Sequence, residues 1–484
     1  MQTLETDYLI IGAGAVGLAF ADTLLAHSDA TMLIVDRHGL PGGHWNDAYS
    51  FVTLHQPSSF YGVASLPLGQ GRTDTQGANA GMQELATGAE VLAHFQQAMQ
   101  QRLLPSGRVT YRPMSNWRTD GGRHQLVSLL SGETTQVRVR RRVVDATYFG
   151  SQVPSTHVPA FAVAPGTRLV PPNALPHLGR TPDDLPRHFV VLGAGKTAMD
   201  AITWLLAAGA PPERIGWVRP RESWLIDRRS TQPTMAHFEA VFGAQVALME
   251  ALATATTADE LFERQEAAGG MLRIDPDARP TMFHYATISP GELAQLRRIT
   301  QVWRGQRVRA LEPGALVFAD DQRVPVPEGT LFVDCTATAV TRRPPVPVFQ
   351  PGRIALQMVR VPQPTFSAAL IARLEAGVGA SGQDDARRNA MARAIPLPDG
   401  LDGYPVATLV GLQNQMQWGQ DADLRNWIRD CRLDGFGRLA TAVNRDDPAD
   451  AARIALLARL RAAGPGVMAA APRWLAGAQR AAGA

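Results

Sequence analysis

The chain is 484 residues long, 45% hydrophobic and 19% charged, with a formal net charge of +3. That length is too great for a single compact core and predicts two or three domains of an ordinary globular protein. Lys196 is the only lysine among the 47 basic residues, and the arginines are dispersed apart from the short run Val137–Arg142, which argues against a nucleic-acid partner.

The first predicted unit, residues 7 to 37, reads as an apolar strand, a glycine turn, an amphipathic helix and a second strand ending at Asp36. Gly12, Gly14 and Gly17 form G-x-G-x-x-G: the first permits the tight turn, the second lets backbone amides approach a pyrophosphate, and the third lets helix pack on strand. Asp36 is placed to accept hydrogen bonds from an adenosine ribose, with Arg37 beside it. Glu5 and Asp7 stand before this apolar stretch where a signal peptide needs basic residues, and no apolar run of membrane-spanning length is evident. With only Cys335 and Cys431, the chain offers no CxxC redox pair, zinc cluster or disulfide framework, so no metal is expected and a cytoplasmic location is.

Residues 107 to 148 read as short strands with Gly-rich turns, Met114 among them, and the proline-rich stretch 153 to 186 reads as a linker. A second strand-glycine-helix-strand unit covers residues 187 to 221. Its Gly-Lys-Thr triplet is not a P-loop, because Val190 occupies the position where the wide phosphate loop needs glycine. Gly193 and Gly195 match the first two glycines of a dinucleotide turn, and Ala198 replaces the third. Lys196, followed by Thr197, is expected at a helix N-terminus beside bound phosphates. Where an NAD site would show an acid, the second strand ends in Arg219 and Arg221, suited to a 2'-phosphate and therefore to NADPH. Two turns of these kinds in one chain predict FAD in the first and NADPH in the second. Residues 232 to 290 read as a helical insertion, strands return up to Ala337, and the tail from about 365 reads as helical, with frayed small residues at its end.

These motifs resemble those of the two-dinucleotide-binding-domain flavoproteins, and within them the class B flavin-containing monooxygenases with their N-hydroxylating and Baeyer-Villiger relatives, over most of residues 1 to 370. The carriers are the first turn with Asp36, the stretch PGGHWNDAY with Gly42, Gly43 and Trp45, the stretch VTLHQPSSFYG with Gln56, the strand ends VVDATY and VDCTA, and the closing segment around Thr365–Ser367. The resemblance implies an α/β fold of two Rossmann-like domains with a helical insertion and a helical C-terminus. The FAD domain would comprise 1–165 and 330–400, the inserted NAD(P)H domain 180–330, and the helical region 400–484. It places Gly43, His44, Trp45, Gln56, Met114, Ala146, Thr336, Thr365 and Phe366 along the cofactors.

The implied activity is NADPH-dependent monooxygenation of a small organic substrate through an oxygenated flavin, with molecular oxygen as co-substrate and a homodimer as an allowed assembly. Gln56, His44 and His55 are the catalytic candidates, a structural role weighing evenly for His44 and more heavily for His55. The hydroxylating fingerprint Phe-x-Gly-x-x-x-His-x-x-x-Tyr is missing, since Ser151, Val153 and Phe161 surround His157. An FAD-dependent oxidase or dehydrogenase is the alternative; a flavin halogenase would have to draw on Lys196.

Overall fold

A computed structural model describes residues 3–178, 186–338, 340–341, 343–377, 385–398 and 400–482. The strand Met32–Val35 is buried along its whole length, the mark of a parallel strand covered on both faces. It pairs in parallel with Thr3–Ile11, which pairs on its other side with Thr134–Asp145. Around these, the first sheet runs in the order Phe349–Gln350, Arg353–Ala355, Thr134–Asp145, Thr3–Ile11, Met32–Val35, Val109–Arg112, with the hairpin Ser115–Asp120 and Arg123–Ser128 branching from the long strand. The helices Ala15–His27 and Pro364–Glu375 pack together on it, contributing Leu18, Phe20, Phe366 and Leu370 to one core.

The second sheet is parallel throughout, in the order Gln301–Arg304, Ile215–Arg219, Phe189–Leu192, Leu331–Asp334, Arg168–Val170. It carries the helix Lys196–Ala207. A four-stranded sheet (Arg323–Pro325, Ala315–Phe318, Val308–Glu312, Ala162–Val163) and a three-stranded one (Met271–Leu272, Ser223–Asp227, Met282–Ile288) complete this half. The C-terminal region is helical at Gly403–Gln420, Ala422–Asp430, Gly435–Thr441 and Ala451–Ala482.

Four expectations are corrected. The stretch taken as a linker contributes strands Ala162–Val163 and Arg168–Val170, which pair with residues 310–311 and 331–333; residues 179–185 of it lie outside the described residues. The strand Leu331–Asp334, placed by the resemblance in the FAD domain, belongs to the second sheet. The supposed helical insertion holds helices Phe238–Thr254 and Ala258–Ala267 but also the strand Met282–Ile288, which pairs with Ser223–Asp227. Finally, the stretch Pro448–Gly477 is long and apolar enough to cross a membrane by length and composition, with mean hydropathy 1.3. Alanines together with Ile454, Leu456, Leu457, Leu460 and Val467 supply that hydropathy, interrupted by Arg459 and Arg461 so that no unbroken apolar run stands out.

Candidate functional site

The two glycine turns are built alike. Gly12 has φ 102° and Gly193 φ 118°, the left-handed region that glycine enters without strain. Behind each turn comes a strand end of the form Asp-x-Thr. Ala146 donates its backbone N–H to Ile11 O at 3.0 Å, and Cys335 donates to Leu192 O at 2.9 Å. The Thr147 hydroxyl donates to Asp145 at 2.7 Å, and the Thr336 hydroxyl to Asp334 at 2.6 Å. A Cβ on Gly12 would press on Thr147 at 3.2 Å, and one on Gly193 would strike Cys335 O at 2.5 Å. The helices that follow begin at Gly14 and Gly195, and no side chain caps either. Their first-turn amides and the positive end of the helix dipole are left for an anion.

The turns differ in their surroundings. In the first, Gly43 has φ 58° and lies against Gly14 so closely that a Cβ would meet the Gly14 Cα at 2.9 Å. Asp36 is buried and accepts from the Ala13 N–H at 2.6 Å, from the His38 N–H at 2.8 Å, and pairs with the His38 ring at 2.8 Å; the other ring nitrogen reaches Asp47 at 2.8 Å. Arg37 is exposed next to it. Met114, at φ 48°, donates its N–H to His38 O, which brings it to the same end of the site. Trp45 donates from its indole to the Tyr61 hydroxyl at 2.8 Å and stacks on His44 at 5.5 Å. The closing helix comes close as well: the Thr365 hydroxyl donates to Phe60 O at 3.4 Å, and Phe366 is buried behind it.

In the second turn the cations face inward. Lys196 is 8% exposed; its ammonium is paired with Asp200, one helical turn on, and lies 3.6 Å from Glu292. Asp200 also accepts from the Tyr49 hydroxyl at 2.8 Å. Glu292 accepts from the fully buried Arg228 at 2.6 Å, and Arg228 donates to His55 O at 3.1 Å and to Asn79. Lys196 therefore joins a buried ionic network between the halves instead of standing free beside phosphates: Asp200 at i+4 draws it back along the helix. Arg219 departs from expectation too. It lies 4.6 Å over the Trp217 ring and 3.3 Å from Glu222, buried. Arg221 is the exposed member, and Arg307, which sequence reasoning missed, is near enough for its charge to add to burial in lowering the Arg221 pKa. Thr197 is half-buried beside Tyr49.

Burial, then the charges of Lys196 and Arg228, pushes His55 down to about 3, and burial lowers His44 as well. Both are neutral at pH 7. Gln56 is half-buried and makes no hydrogen bond among the described residues. Phe51, from the first half, stacks on Trp204 of the second at 5.2 Å. The interface network was not recognisable beforehand: its one sequence signal is the Lys196–Asp200 spacing.

Residues 10–54 match the family model for an NAD(P)-binding Rossmann-like domain. "Uncharacterized protein Rv2000" of Mycobacterium tuberculosis (strain ATCC 25618 / H37Rv) is 45% identical over 432 residues, 89% of this chain and 78% of that protein. Among solved structures, the polycyclic ketone monooxygenase of the thermophilic fungus Thermothelomyces thermophila superposes with a TM-score of 0.54 at 15% identity, covering 90% of this chain and 89% of that one. An oxidized steroid monooxygenase bound to NADP gives 0.50 at 13% identity, covering 85% and 98%. The chain thus belongs to the family of the mycobacterial protein Rv2000, and its fold is that of the class B, two-dinucleotide-domain flavoprotein monooxygenases.

Proposed function

We propose that the protein is an FAD- and NADPH-dependent monooxygenase that oxidises a small organic substrate with molecular oxygen. One observation carries this reading: two uncapped helix starts, each behind a glycine turn closed by an Asp-x-Thr strand end, are held by one buried interface. The residues fit the groups they would hold. Gly43 lies so close to Gly14 that a Cβ on Gly43 would strike it, and a Cβ on Gly195 would meet nothing within 4 Å, leaving open space for a pyrophosphate. Arg221 and Arg307 supply two guanidinium groups for a 2'-phosphate.

When bound, the flavin would supply the two-electron and oxygen chemistry. The chain's own contribution is positioning and proton control. Asp36 holds the Ala13 amide and is set at the ribose end; Trp45, fixed by Tyr61, walls the ring site. His44 and His55, uncharged, each carry one ring N–H donor and one bare acceptor nitrogen, so they orient groups by hydrogen bonding without placing a cation there. The Gln56 carboxamide, without a partner among the described residues, is free to donate and accept. The Phe51–Trp204 stack places apolar surface between the halves.

The missing fingerprint around His157 favours a second reading, an FAD-dependent oxidase or dehydrogenase. His157 itself lies 3.2 Å from the Thr336 hydroxyl, but no tyrosine follows it at Phe161. A halogenase loses support because the Lys196 ammonium is occupied by Asp200 and Glu292. Anaerobic addition of NADPH to the flavin-loaded protein, followed by oxygen, separates the readings. A monooxygenase bleaches the flavin and then shows a transient absorbance distinct from oxidised and reduced flavin; an oxidase releases peroxide at once. No bleaching by NADPH would refute the NADPH-dependent monooxygenase.

A further inference from the structure

The C-terminal region returns to the first half through the segment Cys431–Phe436. Arg432 points its guanidinium into the irregular backbone at residues 59–63 and serves three carbonyls at once: Nε donates to Val63 O at 2.9 Å, Nη1 to Ser59 O at 2.8 Å and Nη2 to Tyr61 O at 2.6 Å. The planar fork presents its donors on three separate nitrogens in fixed directions, whereas an ammonium offers its three N–H groups from a single atom. Two residues on, Asp434 pairs with Arg360 at 3.1 Å, and Arg360 lies 4.9 Å over the Phe366 ring. Phe436 packs on Phe60 at 5.2 Å, and Gly435 lies so near Phe60 that no Cβ fits between them.

The clamped loop supplies the partners of two residues assigned to the proposed flavin site, Trp45 and Thr365. Tyr61 accepts the indole N–H of Trp45, and Phe60 O accepts from Thr365 at the start of the closing helix. Its carbonyls belong to no regular ladder, so Arg432 is their donor; burial lowers the Arg432 pKa to about 10, which leaves it charged at neutral pH. The connection runs from the C-terminal segment through Arg432 to Tyr61, from Tyr61 to Trp45, and from Trp45 along the chain to Gly43 against Gly14.

We infer that Arg432 is a positioning residue for the flavin site, acting through Tyr61 and Trp45, so that the C-terminal helical region forms part of the redox centre as well as any substrate wall. The inference rests on the proposal that the first turn binds FAD. Full-length Arg432→Ala and Arg432→Lys variants, stripped of flavin and titrated with FAD, test it, with the visible flavin spectrum and hydrogen exchange at residues 58–63 as readouts.

Arg432→Ala is expected to weaken FAD binding by tenfold or more, alter the shape of the flavin bands and raise exchange in 58–63. Millimolar guanidinium ion restores affinity and spectrum, and Arg432→Lys does not. Tyr61→Phe, which retains the ring but loses the hydroxyl that Trp45 needs, reproduces the spectral change with normal exchange. If Arg432→Ala binds FAD with wild-type affinity and spectrum, the inference falls while the FAD reading stands. Should Arg432→Ala not fold, wild-type spectra in Arg432→Lys and Tyr61→Phe would overturn it equally. A wild-type protein that takes up no FAD refutes the underlying reading itself, a result distinct from the others.

Discussion

The two glycine turns share a backbone and differ in what their side chains were recruited to do. At the first, the small residues stay small and the acid Asp36 reaches back to the turn it follows, accepting the Ala13 amide. At the second, two of the three cations expected to meet phosphate, Lys196 and Arg219, turn to the interior: one pairs with Asp200 and Glu292, the other lies on Trp217. The same local motif therefore serves as a bare cradle in one half and as an anchor of the domain interface in the other. A glycine signature specifies a backbone path; it does not specify which way a neighbouring charged side chain turns.

The comparison is tested most severely at Lys196. Removing one partner of a buried ion pair strands the other, at a cost of about 3–5 kcal/mol. Lys196→Met should lose stability on that order in denaturant titration while leaving the KM for NADPH within about twofold; a large rise in KM at unchanged stability would return Lys196 to the phosphates. Next comes the third-glycine position. A Cβ on Gly17 would collide with Gly12 O and lie 3.2 Å from Ala146, so Gly17→Ala should cost about 3 kcal/mol by overpacking, and FAD binding with it. Gly195→Ala meets only open space and should fold normally, weakening nucleotide binding alone. Equal losses of stability in the two variants would erase the distinction.

A smaller effect separates the two arginines. Arg221→Ala should raise the KM for NADPH about tenfold, near 1.4 kcal/mol, without changing that for NADH, whereas Arg219→Ala should show itself mainly as lost stability. A further signal is in pH. His55 and His94 are lowered from 6.5 to about 3 and about 4, burial being the main cause in each. Below pH 6.5 the unfolded chain binds protons that the folded chain refuses, so their contribution is complete above 6.5 and declines as pH falls toward 4 and 3. Denaturant midpoints measured from pH 7 to 5 should fall, and less steeply in His55→Gln; an identical slope would show that His55 titrates normally.

Several features were legible because they are local. Gly12, Gly14, Gly17, Gly193 and Gly195 sit where a strand pattern gives way to a helical one, and that change of period is visible in any one segment. The strand ends at Asp145–Thr147 and Asp334–Thr336 were recognisable as a pair by their residues. Other features depend on partners far along the chain. Nothing near residues 162–170 announces strands, because their pairing partners lie at 310–311 and 331–333. The strand Met282–Ile288 was hidden for the same reason, its partner being Ser223–Asp227.

By itself, the amino-acid sequence determined two dinucleotide turns, the doubly wound character of both halves and the order in which they occur, since each depends on spacing within a few turns of helix or residues of strand. Only the tertiary structure decided where the charges go. Lys196 meets Glu292, Arg228 meets His55 O and Asn79, and Arg432 meets the carbonyls of residues 59–63 across separations that no local pattern spans. A buried cation must find its counter-charge or its carbonyls wherever folding brings them, because leaving it unpaired costs more than any local preference can offset.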